Sequence, residues 1–154
     1  MKQNIIILLL IFSIPISLFG GEFLISGGAF SHTYPVVSFG HENYQVTWLD
    51  KRSGSYNYGF WGRMIDSDGN LVGEENEIVG SYSNLSFMPD IETDGTNYLL
   101  VWTRYRSSSG PGDVYGILIS QTGTPIGTKF RISLGNTINA SFPNIAWDGT
   151  NYLV

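Results

Sequence analysis

The chain is 154 residues long, 42 % hydrophobic and 14 % aromatic, with only 14 % charged residues, 19 glycines, no cysteine and a formal net charge of −5. Such aromatic content excludes a disordered chain, and the acidic balance argues against a phosphate-binding surface, so no nucleic acid is expected as a partner. Without cysteine there is no disulfide, thiol nucleophile or thiolate zinc site, and the two histidines are too few for a three-histidine metal centre.

The first predicted element is an export leader over residues 1–20. Met1–Asn4 carries one positive charge at Lys2, and Ile5 to Phe19 is almost wholly apolar. That run falls short of the ~20 residues a spanning helix needs, and Gly20–Gly21 offers the small residues a signal peptidase cuts beside. The expected address is secreted, periplasmic or extracellular, with the membrane touched only through this segment if it stays uncleaved.

From residue 21 onward the chain repeats itself with a period of 54 residues. Pro35, Pro89 and Pro143 stand at this spacing, as do Tyr44, Tyr98 and Tyr152, and Asn43, Asn97 and Asn151. The same shift carries Trp48 to Trp102, Arg52 to Arg106, Gly62 to Gly116 and Gly69 to Gly123. Asp94–Leu99 recurs identically as Asp148–Leu153. A shared offset without gaps is the signature of a repeat architecture, here with copies 35–88 and 89–142 and a partial copy 143–154.

Each full copy predicts four short strands. The first follows the proline (Val36–Phe39, Asp90–Thr93, Asn144–Trp147), where a missing N–H costs little. The second is Tyr44–Leu49 and Tyr98–Thr103, and its apolar run Leu99–Trp102 suits a strand buried on both faces. The third is Tyr58–Ile65 and Val114–Ser120, and the fourth is a short strand near Glu77–Val79 and Phe130–Ile132. Asp-Gly and Thr-Gly dipeptides mark the turns. Residues 22–26 are expected to be a fourth strand completing another copy. The fold class expected is all-β and β-propeller-like: four-stranded antiparallel blades in an incomplete ring of about two and a half blades, with the remaining blades on a longer chain.

The run Pro89-Asp90-Ile91, Asp94 to Trp102, Arg106 and Asp113 to Gly116 resembles the blade repeat of secreted bacterial β-propeller proteins, and is more loosely similar to the propeller repeats of TolB. The resemblance covers nearly all of Phe23 to Val154 and implies a scaffold with extracellular binding or scaffolding as its default use. Copy one departs from the pattern with Gly40-His41-Glu42 in place of Asp-Gly-Thr, so its first hairpin turn is expected to differ.

Few constellations point to chemistry. Asp66 to Glu77 superficially resembles a calcium loop, but Leu71 stands where an EF-hand needs glycine, so neither metal nor cofactor is expected. The acidic group Glu74, Glu75, Glu77 reads better as a charged edge strand, because copy two has Thr128, Lys129 and Arg131 there. His32 and His41 fall in loops at opposite ends of a blade. Asn84 and Asn139 head glycosylation sequons.

The candidate site is a set of loops expected at one end of the blades. Those joining second to third strands contain Arg52, Tyr56, Arg104, Tyr105 and Arg106, and those joining fourth to first strands contain His32, Tyr34 and Tyr82. Tyr and Arg are the residues binding surfaces favour. The function expected is an exported binding or scaffolding module that recognises a protein or glycan through this face. The alternatives are a secreted propeller hydrolase with catalysis in other blades, or a structural repeat of a surface or adhesive protein. Reading the residues leans away from an enzyme.

Overall fold

The structure, a computed structural model, describes residues 22–27, 31–52, 58–82, 86–107, 110–135 and 139–154. These form strands without helix: β1 (His32–Gly40), β2 (Asn43–Asp50), β3 (Tyr58–Asp66), β4 (Leu71–Tyr82), β5 (Ser86–Thr93), β6 (Asn97–Tyr105), β7 (Gly112–Ser120), β8 (Pro125–Arg131), β9 (Ala146–Trp147) and β10 (Tyr152–Leu153). They make two four-stranded antiparallel sheets, ordered β1-β2-β3-β4 and β5-β6-β7-β8, and a two-stranded hairpin β9-β10. The all-β class with four-stranded antiparallel sheets is therefore observed. The leader lies outside the described residues.

The turns follow local chemistry. Asp94 Oδ1 accepts the backbone N–H groups of Thr96 and Asn97 at 2.7 Å, and Asp148 does the same for Thr150 and Asn151. Each closes an Asx turn that the next glycine completes at positive φ, Gly95 at 84° and Gly149 at 97°. The β1–β2 turn lacks this aspartate, and His41 takes a φ of 47° instead. Its chemistry differs, as the sequence implies. Asp66, the residue that invited a calcium reading, spends its carboxylate on the amides of Asp68 and Asn70 and on the Asn70 side chain.

Three sequence expectations are corrected. Pro35 and Pro89 do not begin strands: β1 and β5 each start three residues earlier and bulge at the proline. Thr33 pairs Leu49 and Val36 pairs Thr47, so Tyr34–Pro35 stand opposite Trp48 alone; Phe87–Thr103 and Asp90–Val101 leave Met88–Pro89 opposite Trp102. In the bulge the proline is not part of the ladder, so its absent N–H leaves no gap. The fourth strands are also longer than expected, β4 running 12 residues and β8 seven. Both are edge strands, and the exposed stretches that lengthen them, 71–74 in β4 and 125–128 in β8, carry little apolar alternation to read. Residues 22–27 form no strand; instead Ile25 packs on Val46, Trp48 and Ile65, and its carbonyl accepts a hydrogen bond from Arg63 Nη1 at 3.0 Å.

The core lies between the two large sheets. Leu49, Phe60, Met64, Ile78 and Val79 of the first meet Ile91, Tyr98, Leu100, Trp102, Ile117 and Ile119 of the second, with Phe60 and Trp102 rings 5.4 Å apart. Successive strand residues face opposite sides, so Trp102 and Tyr98 share the inter-sheet face, and Trp48 occupies the far side of the first sheet. Both tryptophans are buried, Trp48 at 3 % and Trp102 at 1 % exposure. A tyrosine ties each unit to the one before it: Tyr98 donates to the Asn43 carbonyl at 2.8 Å, and Tyr152 to the Asn97 carbonyl at 3.3 Å. The tyrosine landmarks are packing and hydrogen-bonding groups.

Candidate functional site

The strand ends fix which loops share a side. β2 finishes at Asp50 opposite Gly59, and β6 at Tyr105 opposite Gly112, while Asn43 and Asp66 mark the other end of the first sheet. Phe87, near the start of β5, joins the two sheets at the Asp50 and Tyr105 end. Its ring lies 5.9 Å from Tyr34, 5.9 Å from Tyr58 and 6.3 Å from Tyr105. Two cations lie over aromatic faces at this end: Lys51 Nζ is 4.9 Å from the Tyr58 centroid and the Arg104 guanidinium 5.7 Å from that of Tyr115. Four strands thus bring four rings into contact, with cations over aromatic faces on both sheets.

Beside the rings lie two ion-pair clusters. Asp50, whose side chain is fully buried, accepts hydrogen bonds from the Arg52 amide at 2.6 Å, Arg52 Nη2 at 2.7 Å and Trp48 Nε1 at 3.1 Å. Arg52 Nη2 also reaches Glu75 at 2.6 Å, and the guanidinium stacks 3.8 Å from the Trp61 centroid. Burial works to raise the Asp50 and Glu75 carboxyls, but the hydrogen bonds from Arg52 outweigh it and hold both below the usual carboxylate range. In the second sheet Arg106 forks onto Asp113 through Nε at 2.8 Å and Nη2 at 2.6 Å. That fork is the chief cause of the depressed Asp113 carboxyl.

The residues expected to bind meet different fates. Arg52 and Arg106 do share one end, but they are not the exposed cations that a binding loop would offer. Their side chains are 21 % and 28 % exposed and pinned to carboxylates, because each arginine, just past the end of its strand, sits within reach of an acid on that strand or on the one paired with it. Arg104, Tyr105 and Arg106 come together and line a cleft of about 220 Å³ with Asp113 and Tyr115. Tyr34 belongs to a larger cavity of about 350 Å³ beside the ring cluster. His32 lines a third hollow of about 190 Å³ with Ser26 and Trp48. Tyr56 and the side chain of Tyr82 lie outside the described residues. His41 lines a hollow at the opposite end with Gln121 and Thr122, so the two histidines share no site. Of the sequons, Asn84 falls outside the described residues, and Asn139 accepts the Gly112 amide at 2.8 Å.

Sequence reading missed Phe87, Tyr58, Trp61 and Tyr115. Phe87 stands two residues before Pro89, a place that reads as loop when a strand is expected to begin after the proline. The other three are strand residues whose rings reach the end of the sheet only once register is known.

Two catalytic readings of these groups do not fit their geometry. His32 Nε2 lies 3.1 Å from Asp50 Oδ2 and 3.3 Å from Ser26 Oγ. One ring nitrogen faces both partners, whereas a serine–histidine–aspartate relay uses the two nitrogens separately. Asp50 and Glu75 are both bound to one guanidinium and held ionised, so neither is set up as the proton donor that glycoside hydrolysis needs. No family model matches the chain, and neither the curated proteins nor the solved structures contain a match to it.

Proposed function

We propose that the chain is an exported, propeller-like binding module that recognises a protein or glycan through one loop-bearing end of its sheets. The two sheets share strand order, and their registers and bulges correspond at the 54-residue period, which supports reading them as neighbouring blades. The charged start and apolar run of residues 1–20 support export. One observation carries the binding reading: Tyr34, Tyr58, Phe87 and Tyr105 form a contiguous ring cluster at one end, with Lys51 over one of its rings and Arg104 over the Tyr115 ring of the second sheet. Aromatic groups beside cations give rigid amphipathic contact area at low entropic cost.

The test displays glycans and extracellular proteins on arrays and compares the natural chain with a Tyr58→Ala/Tyr105→Ala double variant. The expected result is a set of ligands retained by the natural chain and lost by the variant, with both chains equally folded by circular dichroism. Ligands held equally by both chains, or none held by the natural chain, remove the reading.

A further inference from the structure

Three positions whose backbone geometry favours glycine carry large apolar side chains, and the three meet in one place. Tyr34, Met88 and Phe142 have φ of 53°, 55° and 59°, each directly precedes a proline, and they stand 54 residues apart. A bulky residue at positive φ is an outlier, and glycine is the usual first residue of a bulge of this kind. The chain does use glycine at other left-handed positions, including Gly69, Gly95, Gly123 and Gly149. Filling the core does not explain Tyr34, which stands in a complete four-stranded sheet and is 40 % exposed. Together with Pro35, Pro89, Pro143 and Asn144, the three side chains line the cavity of about 350 Å³. Strain kept at equivalent positions around one cavity is where ligand clamps are found.

We propose that this cavity is an anchor pocket for an uncharged aromatic side chain, tyrosine or phenylalanine, presented by a protein partner. The inference rests on the binding reading above and chooses protein over glycan for this part of the surface. Among the described residues no charged one lines the cavity, and its prolines have no N–H to offer an anion or a sugar hydroxyl. The polar side chains are the Tyr34 hydroxyl and the Asn144 amide, too few for the hydroxyls of a pyranose, which would be buried unpaired. Aromatic rings and methionine are the groups that protein interfaces concentrate. The volume lies at the small end for ligand sites, room for one anchoring group. Tyr34 also touches Phe87, so chain flanking the anchor would run onto the ring cluster.

Methionine methyl groups give a direct readout, since the chain has three methionines and Met64 is buried in the core at 2 % exposure, away from the cavity lining. The full chain carrying ¹³C-methyl methionine is titrated with a capped, uncharged peptide containing one tyrosine, with the same peptide carrying alanine, and with glucose. The expected result is a saturable shift of the Met88 methyl with the tyrosine peptide alone, while Met64 stays still. Tyr34→Gly and Phe142→Gly should each weaken that binding at least tenfold while melting no lower than the natural chain, because glycine relieves the left-handed backbone. The proposal is overturned if Met88 does not move, if the alanine peptide or glucose moves it as much, or if the glycine variants bind undiminished. It is equally overturned if they lose binding and melt lower, which would make the side chains structural. If the pocket fails while the Tyr58→Ala/Tyr105→Ala variant still loses array ligands, the binding reading stands without it.

Discussion

The two large sheets place an arginine at the same point, yet neutralise it from opposite strands. In the first sheet Asp50 of β2 pairs across to Gly59 and holds Arg52. In the second sheet the corresponding pair is Arg104 with Asp113, and the acid on β7 holds Arg106. The acid has moved across the ladder while the pairing survived, so what recurs is the neutralised arginine and not the residue beside it. The exchange leaves a difference in charge: Glu75 gives way to Lys129 and Asp50 to Arg104 at equivalent positions. At the first sheet's end two acids therefore surround one partly buried guanidinium, and the second carries Arg104 along its cleft.

The largest effect should separate the two tryptophans. Trp102 lies between the sheets, its ring 5.4 Å from Phe60 and 6.2 Å from Tyr115, in the larger cluster. Trp48 belongs to the smaller cluster on the far side of the first sheet. Truncating a buried tryptophan costs about 3–5 kcal/mol, and Trp102→Ala should reach the upper part of that range because both sheets lose a neighbour. Trp48→Ala should cost less. Urea unfolding followed by circular dichroism measures both, and equal losses would break the assignment of the core to the space between the sheets.

Asp50 should come next, with a pH signature. Replacing it by asparagine leaves Arg52 and Trp48 Nε1 short of a buried acceptor, and breaking a buried pair costs ~3 kcal/mol. Asp113→Asn should cost less, since Arg106 is more exposed than Arg52. Asp50 titrates below its unfolded value. Its contribution is therefore fully present above pH ~4 and is lost as pH falls through the folded value. The natural chain should lose stability below pH ~4 more steeply than Asp50→Asn. Parallel pH profiles would show that the pair adds nothing in the folded state.

These contrasts also mark what the sequence could reveal. Period, strand order and the burial of Trp48 and Trp102 were legible because apolar runs and turn residues recur at a fixed spacing. Pro35 and Pro89 misled because a proline reads as a boundary, whereas a bulge lets the strand pass through it. The outer strands were underestimated because one solvent-facing edge replaces apolar alternation with Glu74, Glu75 and Glu77. At the candidate site, the loop positions in the sequence placed Arg52, Arg104, Tyr105 and Arg106 at one end of the sheets, and that is where they lie. Their pairing did not show, since Glu75 lies 23 residues from Arg52 and only the β3–β4 ladder brings it near.

The smallest prediction has the opposite sign and comes from a position where the sheets disagree in the core. Gln45 occupies the place that Leu99 holds in the second sheet. It is fully buried, its Nε2 donating to the Val46 carbonyl at 3.1 Å and the Thr47 hydroxyl at 3.2 Å, but its Oε1 has no partner among the described residues. A buried orphan acceptor costs about 1–3 kcal/mol, and the two donated bonds recover part of it. Leucine has nearly the same reach, removes the orphan and leaves Thr47 able to turn its own hydroxyl. Its branch must fit beside Met64 and Gly123, where an added Cβ at Gly123 would already stand 3.0 Å from Met64 and 3.1 Å from Gln45 Oε1. That tight fit takes back some of the gain, so Gln45→Leu should stabilise the chain by ~1 kcal/mol, read as a higher urea midpoint at unchanged slope. A loss of stability instead would mean that Gln45 Oε1 is satisfied in solution and that the first sheet tolerates glutamine there for a hydrogen bond of its own.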